Sequence, residues 1–369
     1  MACQKSVSEP AVPHLELEPE HAIRLEPIRV AAYTAEELME ELELGREHML
    51  MSRHGAAAKS FERVARRAGD RNLIALALYE AGRAYEALGD RDAAVARYEA
   101  LTSKYPEHEL YKHALVRQTR LDGYLERWKA MEQAADLLLA LNDLPVMDRI
   151  EGLGAKGLGA VEQGEVERAT VALGKAQALI DEHRFGRAGA PPVQLAQVAF
   201  LEGEIRRIKS ERIKLTPVPP NFGQVLEARC QGLLDAQSAY TEAMRSRDAY
   251  WSAMAGYRVG ELYQQLHVEA MGIPPPEHAS LSQQQLFEAA MRLRYRILLE
   301  KGLKMMDATV RLGERTGESS EWVTRAQKAK AQLEQALEDE QRALKSSPHA
   351  EEDIRAALEK LKGQPKPTP

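Results

Sequence analysis

The chain has 369 residues and carries 56 acidic against 50 basic side chains, a net charge of −6 with both signs mixed throughout. That balance offers no basic stripe to a nucleic acid, and two cysteines, Cys3 and Cys230, exclude a zinc framework. Aromatic residues make up only 5% while Ala, Leu, Glu, Arg and Gln dominate, a composition for long helices; no run of 18 apolar residues could cross a membrane as one of them.

Residues 1–33 read as a tether, because Pro10, Pro13, Pro19 and Pro27 interrupt a polar stretch. Within it the segment 17–20 (LEPE) returns as 25–28 (LEPI). The stretch is either a plain spacer or an extended peptide that docks on a partner or on the folded part itself. Cys3, preceded by Ala2, resembles the end of a bacterial lipoprotein signal. That resemblance implies a membrane contact through lipid at Cys3, and Gln4 in place of an aspartate implies the outer membrane. The basic and apolar parts of such a signal do not precede it, so the alternative is a cysteine without that role.

Folding is predicted to begin at Thr34, which forms a capping box with Glu37. A degenerate repeat follows over 38–71, with Leu44 and Gly45 on its first helix and Ala57 and Phe61 on its second. The stretch 73–106 is the clearest unit. Leu78, Ala81, Gly82 and Tyr85 mark one helix; Gly89 marks the turn; Ala94, Tyr98 and Leu101 mark the second helix, and Pro106 ends it. This spacing resembles the tetratricopeptide repeat, a helix–turn–helix unit of 34 residues. A third unit is weak: Leu115 and Gly123 fit, but Trp128 stands where a small residue is expected. A fourth, over 150–183, has Leu153, Gly157, Ala160, Gly164, Ala169, Leu173 and Ala176 on the template. Its four glycines, Gly152, Gly154, Gly157 and Gly159, predict either close packing by a neighbour or a frayed helix, and leave the inner face of the unit bare for a partner. Gly203, on a helix over 193–213, opens a fifth unit that the segment 215–223 (LTPVPPNFG) cuts short.

The second half has longer helices, predicted over 224–246, 248–271, 282–315 and 320–346. A proline loop, 273–277, stands where the helix at 248–271 needs its partner. Trp322, Ala326, Ala329, Leu333, Leu337 and Leu344 give the last long helix the narrow apolar stripe of an antiparallel hairpin. Met291, Met305 and Met306 are either core or an adaptable surface patch. The aromatic helix with YRVGELY, the PPP loop and the GE..EWV stretch resemble the C-terminal halves of tetratricopeptide proteins in the envelopes of gliding bacteria.

The predicted fold is therefore all-α: a tetratricopeptide-like right-handed α-solenoid over 34–213, a Pro-rich linker over 214–222, a long-helix hairpin or bundle region over 223–347, and a short helix with a Pro/Lys tail over 348–369. No metal, phosphate or nucleophile motif occurs, so neither a catalytic site, a metal nor a cofactor is predicted. Cys230, beside Arg229, reads as a buried small residue, the alternative being a thiol activated by that arginine. The repeat resemblance implies a partner-binding concave face, which on the second unit includes Leu76, Tyr79, Glu80, Arg83 and Glu86. Leu76 and Tyr79 there are either an apolar anchor or packing for the next unit; Arg83 offers a forked donor to a carboxylate. The Lys and Asn of a two-carboxylate clamp are missing. The two resemblances together imply a non-enzymatic scaffold for protein partners in a cell-envelope complex such as a gliding-motility machine, on the periplasmic side of the outer membrane. A cytoplasmic adaptor and a regulatory subunit of an envelope enzyme are the alternatives.

Overall fold

The computed structural model describes residues 33–185 and 191–362. Among them are fourteen α-helices and no strand. They pair in chain order: α1 (Ala35–Leu50) with α2 (His54–Arg67), α3 (Arg71–Leu88) with α4 (Arg91–Lys104), α5 (Tyr111–Tyr124) with α6 (Trp128–Leu139), and α7 (Val146–Glu162) with α8 (Val166–Glu182). The longer α9 (Val193–Glu211) pairs with α10 (Phe222–Met244), and α11 (Ala249–Met271) with α12 (Leu281–Thr316). Then α13 (Glu321–Lys345) returns along α12, and α14 (Glu351–Lys362) packs on the same helix. The chain is an all-α solenoid whose last hairpins use longer helices. Cys3 and the rest of residues 1–32 lie outside the described residues.

Local chemistry sets the helix ends. Asp70, Asp90 and Asp248 accept hydrogen bonds from the backbone N–H groups of Leu73, Ala93 and Trp251 at 2.8, 3.0 and 3.0 Å. Thr34 with Glu37, and Ser280 with Gln283, form capping boxes. Each of the first four hairpins turns on a left-handed residue: Ser52, Gly89, Glu126 and Gly164, spaced by 37, 37 and 38 residues. Counting back seven residues from each reaches Gly45, Gly82, Thr119 and Gly157, where the first helix of each unit is crowded.

This count corrects the third unit. Thr119, 2% exposed, takes the place expected of Gly123. Met131, not Trp128, stands at the small-residue position that Ala57, Ala94 and Ala169 fill elsewhere. Trp128 merely opens α6, with its carbonyl against Gly159. Residues four apart share a helix face, so a slip of one turn leaves the apolar pattern unchanged.

In three units the crowding is glycine against a ring. A Cβ built on Gly45, Gly82 or Gly203 would lie 2.6, 2.6 or 2.5 Å from the nearest ring carbon of Phe61, Tyr98 or Tyr240. Tyr240 belongs to α10, so the fifth hairpin closes after its proline-bearing connection. The segment 214–222 joins these two packed helices, and the largest apolar cluster runs past it from Met131 to Val323. The proline loop after α11 likewise leads to a partner helix: Gly256 and Gly260 face Thr309 and Met306 of α12. Met291 and Met306 are buried and Met305 is half-buried, so all three serve the core.

The glycine-rich face of α7 is not bare. Gly152 meets Leu139, Gly154 meets Val198, Gly157 meets Leu201, and Gly159 meets the Trp128 carbonyl. Helices α6 and α9 both approach α7 closely because it carries no side chains at those points. That contact leaves no room there for a partner's backbone.

Candidate functional site

The residues expected on the concave face of the second unit divide into two groups. Tyr79 and Glu86 are tied to the third unit through Arg117 of α5. The Arg117 guanidinium donates to the Tyr79 hydroxyl at 3.2 Å and to Glu86 at 2.9 Å, and Tyr98 donates to Glu86 at 2.5 Å. Tyr79 also lies 5.8 Å, centroid to centroid, from the buried Tyr98 ring. Leu76, Glu80 and Arg83 stand outside this network. Arg83 is exposed and pairs with Glu80 at 3.1 Å, one turn away. Such a surface pair contributes at most ~0.5 kcal/mol, so a partner carboxylate can displace it. Leu76 is half-buried beside Met39 and Leu73, with Asp70, Asn72 and His108 along the same shallow groove.

Beyond the second unit, the end of α5 meets the C-terminal helices. Tyr124, at the end of α5, stacks on Tyr250 of α11 at 4.7 Å, and Arg91 covers its ring at 3.7 Å. The Tyr124 hydroxyl donates to Glu318, and the Tyr250 hydroxyl to the Gly123 carbonyl, both at 3.0 Å. Arg325 of α13 donates to Glu126 at 2.9 Å. These contacts close a cavity of about 280 Å³ between α5, α7, α9 and α11. Its walls include Arg120, Met131, Glu151, Gln197, Tyr250 and Trp251. Arg120 and Glu151 form a two-point pair, one arm of it 2.7 Å long.

Arg120, Glu151 and Gln197 escape a reading of the sequence, although the signal is present. Arg120 follows Thr119 as Arg83 follows Gly82. Glu151 and Gln197 each precede the crowded glycine of their unit by six residues, as Leu76 does in the second. Carrying the concave positions of the second unit forward in the corrected register finds all three.

A buried polar network fixes α11 to the solenoid. Glu204 and Tyr240 are fully buried, and the Tyr240 hydroxyl donates to Glu204 at 2.6 Å. Arg207 donates to Glu204 at 2.6 Å, and Arg258 pairs with Glu204 at 2.9 Å and with Glu162 at 3.3 Å. Burial and the neighbouring Glu204 push the Glu162 carboxyl up, with Arg258 opposing them. Deeper along α10, the fully buried Arg229 holds Glu269 at 2.9 and 3.1 Å and Ser210 at 2.7 Å. Cys230 is half-buried, and burial raises its thiol above the usual range despite Arg229 and Arg294. The charge of Arg229 is spent on Glu269, so it does not activate that thiol. Among the described residues no group of three or more His, Cys, Asp or Glu side chains is placed to hold a metal ion.

Successive helical hairpins, each hiding its apolar side on the next, define a helical-repeat protein. Residues 76–108 match the profile of the tetratricopeptide repeat. A crystal structure of a tetratricopeptide repeat protein from Parabacteroides merdae aligns with 80% of this chain and 98% of its own, at 12% identity and a TM-score of 0.43. No curated protein matches the sequence. Residues 76–108 therefore carry a tetratricopeptide repeat, set in an all-α solenoid. Repeats of this family point to a protein-interaction scaffold, and hence to protein partners, and the family is typically non-enzymatic.

Proposed function

We propose that the protein is a scaffold that holds partner polypeptides on the concave side of its first three units, within a multiprotein complex of the cell envelope. The observation that carries this reading is the exposed Arg83–Glu80 pair beside Leu76, on an inner wall whose other members, Tyr79, Glu86 and Arg117, are locked in place. A wall held rigid before contact loses little ordering entropy when a peptide docks. The envelope setting, with lipid at Cys3 on the periplasmic side of an outer membrane and a role in a gliding-motility machine, rests on the Ala2–Cys3 pair and on the pattern over 250–330.

Affinity capture with the full chain tests the scaffold. Arg83→Glu is expected to weaken recovery of a specific partner about tenfold, as loss of a complementary interfacial charge does, while Val171→Glu on the outer helix α8 leaves it unchanged. Equal recovery by both variants counts against the concave wall. The envelope setting is tested by radiolabelled palmitate in the native host: label that enters the protein and disappears in Cys3→Ser supports it, and an unlabelled protein removes it.

A further inference from the structure

The groove that holds Leu76 opens where the chain enters the fold. It runs from α1 across the start of α3 to the turn before α5, with a volume of about 410 Å³. Ala35, Met39, Leu73 and Leu76 make its lining mostly apolar, and Met39 is 46% exposed. Asp70 and Glu109, both exposed, line it as well, and no described lysine or arginine does. Tyr33 carries the Arg67 guanidinium 4.1 Å over its ring, and Ala35, two residues on, already lines the groove. The chain before Tyr33 therefore meets the fold at one end of this groove.

One segment of the chain matches this lining. The stretch 23–30 (IRLEPIRV) carries Ile23, Leu25, Ile28 and Val30, and its two arginines outweigh its one glutamate, Glu26. The earlier copy of its centre does not match. In 15–20 (LELEPE), Glu16, Glu18 and Glu20 stand without a base, so Asp70 and Glu109 repel it. Pro27 favours an extended backbone at itself and at Glu26, so less order is lost when the segment lies along a surface. Its reach is sufficient. Two helix-to-helix spacings come to roughly 20 Å, which about six or seven extended residues span. Held by so short a link, the segment is present at ~1 mM or more, so even a millimolar affinity fills the groove about half of the time.

We infer that residues 23–30 of this same chain dock in the groove. Ile28 and Val30 then lie against Met39, Leu73 and Leu76, with Arg29 toward Asp70 and Arg24 toward Glu109. The docked segment covers Leu76, so a partner that uses Leu76 must first displace it. The stretch is thus an internal competitor for the partner's wall. This inference rests on the scaffold reading and adds to it the regulation of that same surface.

The test measures proximity in the full chain, freed of its own thiols by Cys3→Ser and Cys230→Ser. Val30→Cys is combined either with Asn72→Cys, which lines the groove, or with Arg66→Cys, which adjoins Arg67 and does not. Both partner positions are exposed, so neither change threatens the fold. Equilibration in a glutathione redox buffer, read by mass spectrometry, gives the effective concentration of each thiol pair. The pair 30–72 is expected to exceed the pair 30–66 about tenfold. Met39→Asp, at an exposed position, is expected to bring that ratio to about one. Arg24→Glu with Arg29→Glu is expected to lower it at least about threefold. Equal effective concentrations for the two pairs overturn the inference, and so does a ratio that Met39→Asp leaves unchanged. Disulfides that join two molecules instead of one assign the groove to a second copy and equally overturn it. No partner takes part in these measurements, so partner capture with Arg83→Glu can succeed where docking fails, and the reverse.

Discussion

Gly82→Ala should destabilise this protein even though alanine is the better helix former. In α3 the substitution gains about 1 kcal/mol of helix propensity. The new Cβ, however, would sit 2.6 Å from both Cε1 and Cζ of Tyr98, where carbon contacts need about 3.5–4.0 Å. The Tyr98 ring cannot swing clear: it is fully buried, and its hydroxyl donates to Glu86 at 2.5 Å. Overpacking of this kind costs about 1–3 kcal/mol, so the net loss is about 1 kcal/mol, reaching 2 if the ring is held rigidly. Two companions isolate the cause. Gly174→Ala lies on α8 with nothing within 4 Å of the new Cβ, and it should stabilise by about 0.5–1 kcal/mol. In a Tyr98→Leu background the ring is gone, so Gly82→Ala should change sign and stabilise as Gly174→Ala does. Urea denaturation followed at 222 nm gives the five midpoints, wild type included, and the coupling. A Gly82→Ala protein more stable than wild type, or the same shift in both backgrounds, would refute the glycine-against-ring account of these hairpins.

Other perturbations have equally definite outcomes. Asp122 of α5 is fully buried, and neither carboxyl oxygen has a hydrogen-bond partner among the described residues. Burial and the nearby Glu99 push its pKa up to about 7, with Arg127 opposing. Between its unfolded pKa near 4 and about 7 the folded protein holds the extra proton, so stability should fall as pH rises through that window and level off above it. Asp122→Asn should flatten that slope, raising the melting temperature at pH 8 more than at pH 5; an unchanged slope refutes the assignment. Arg229→Ala empties a fully buried side-chain site and releases the half-buried Glu269 and Ser210, so it should cost about 2–5 kcal/mol by urea titration, far more than Arg83→Ala, whose surface pair is worth ~0.5 kcal/mol or less. Cys230 should alkylate with iodoacetamide at pH 8 at least about ten times more slowly than a free thiol, read by mass spectrometry of its peptide.

The fold was legible because its signals are local. Thr34 and Glu37 announce the first helix, and Gly45 and Gly82 each stand 16 residues before the ring that needs them, whereas Gly203 stands 37 before Tyr240. The third unit hides its register for one reason: Thr119 does the work of a glycine, and Gly123, four residues on, offers the same helix face. The proline segments at 214–222 and 273–277 look like ends of the array because proline stops a helix, yet it does not say where the next helix will pack. Of the concave positions, Tyr79 and Glu86 were visible as a face but not as a joint, since Arg117 lies 38 and 31 residues further on. The cavity was invisible for the same reason. Tyr124 and Tyr250 meet only once the solenoid has curled, 126 residues apart in the chain.

A photoreactive residue placed in turn at positions 76, 83 and 171, with crosslinked proteins recovered from the native host, tests the scaffold reading most directly. Positions 76 and 83, on the inner wall, are expected to capture the same partner, and position 171, on the outer helix α8, is expected to miss it. Equal capture from inside and outside, or no shared partner at 76 and 83, would contradict the claim that the curved inner wall is where this protein holds others.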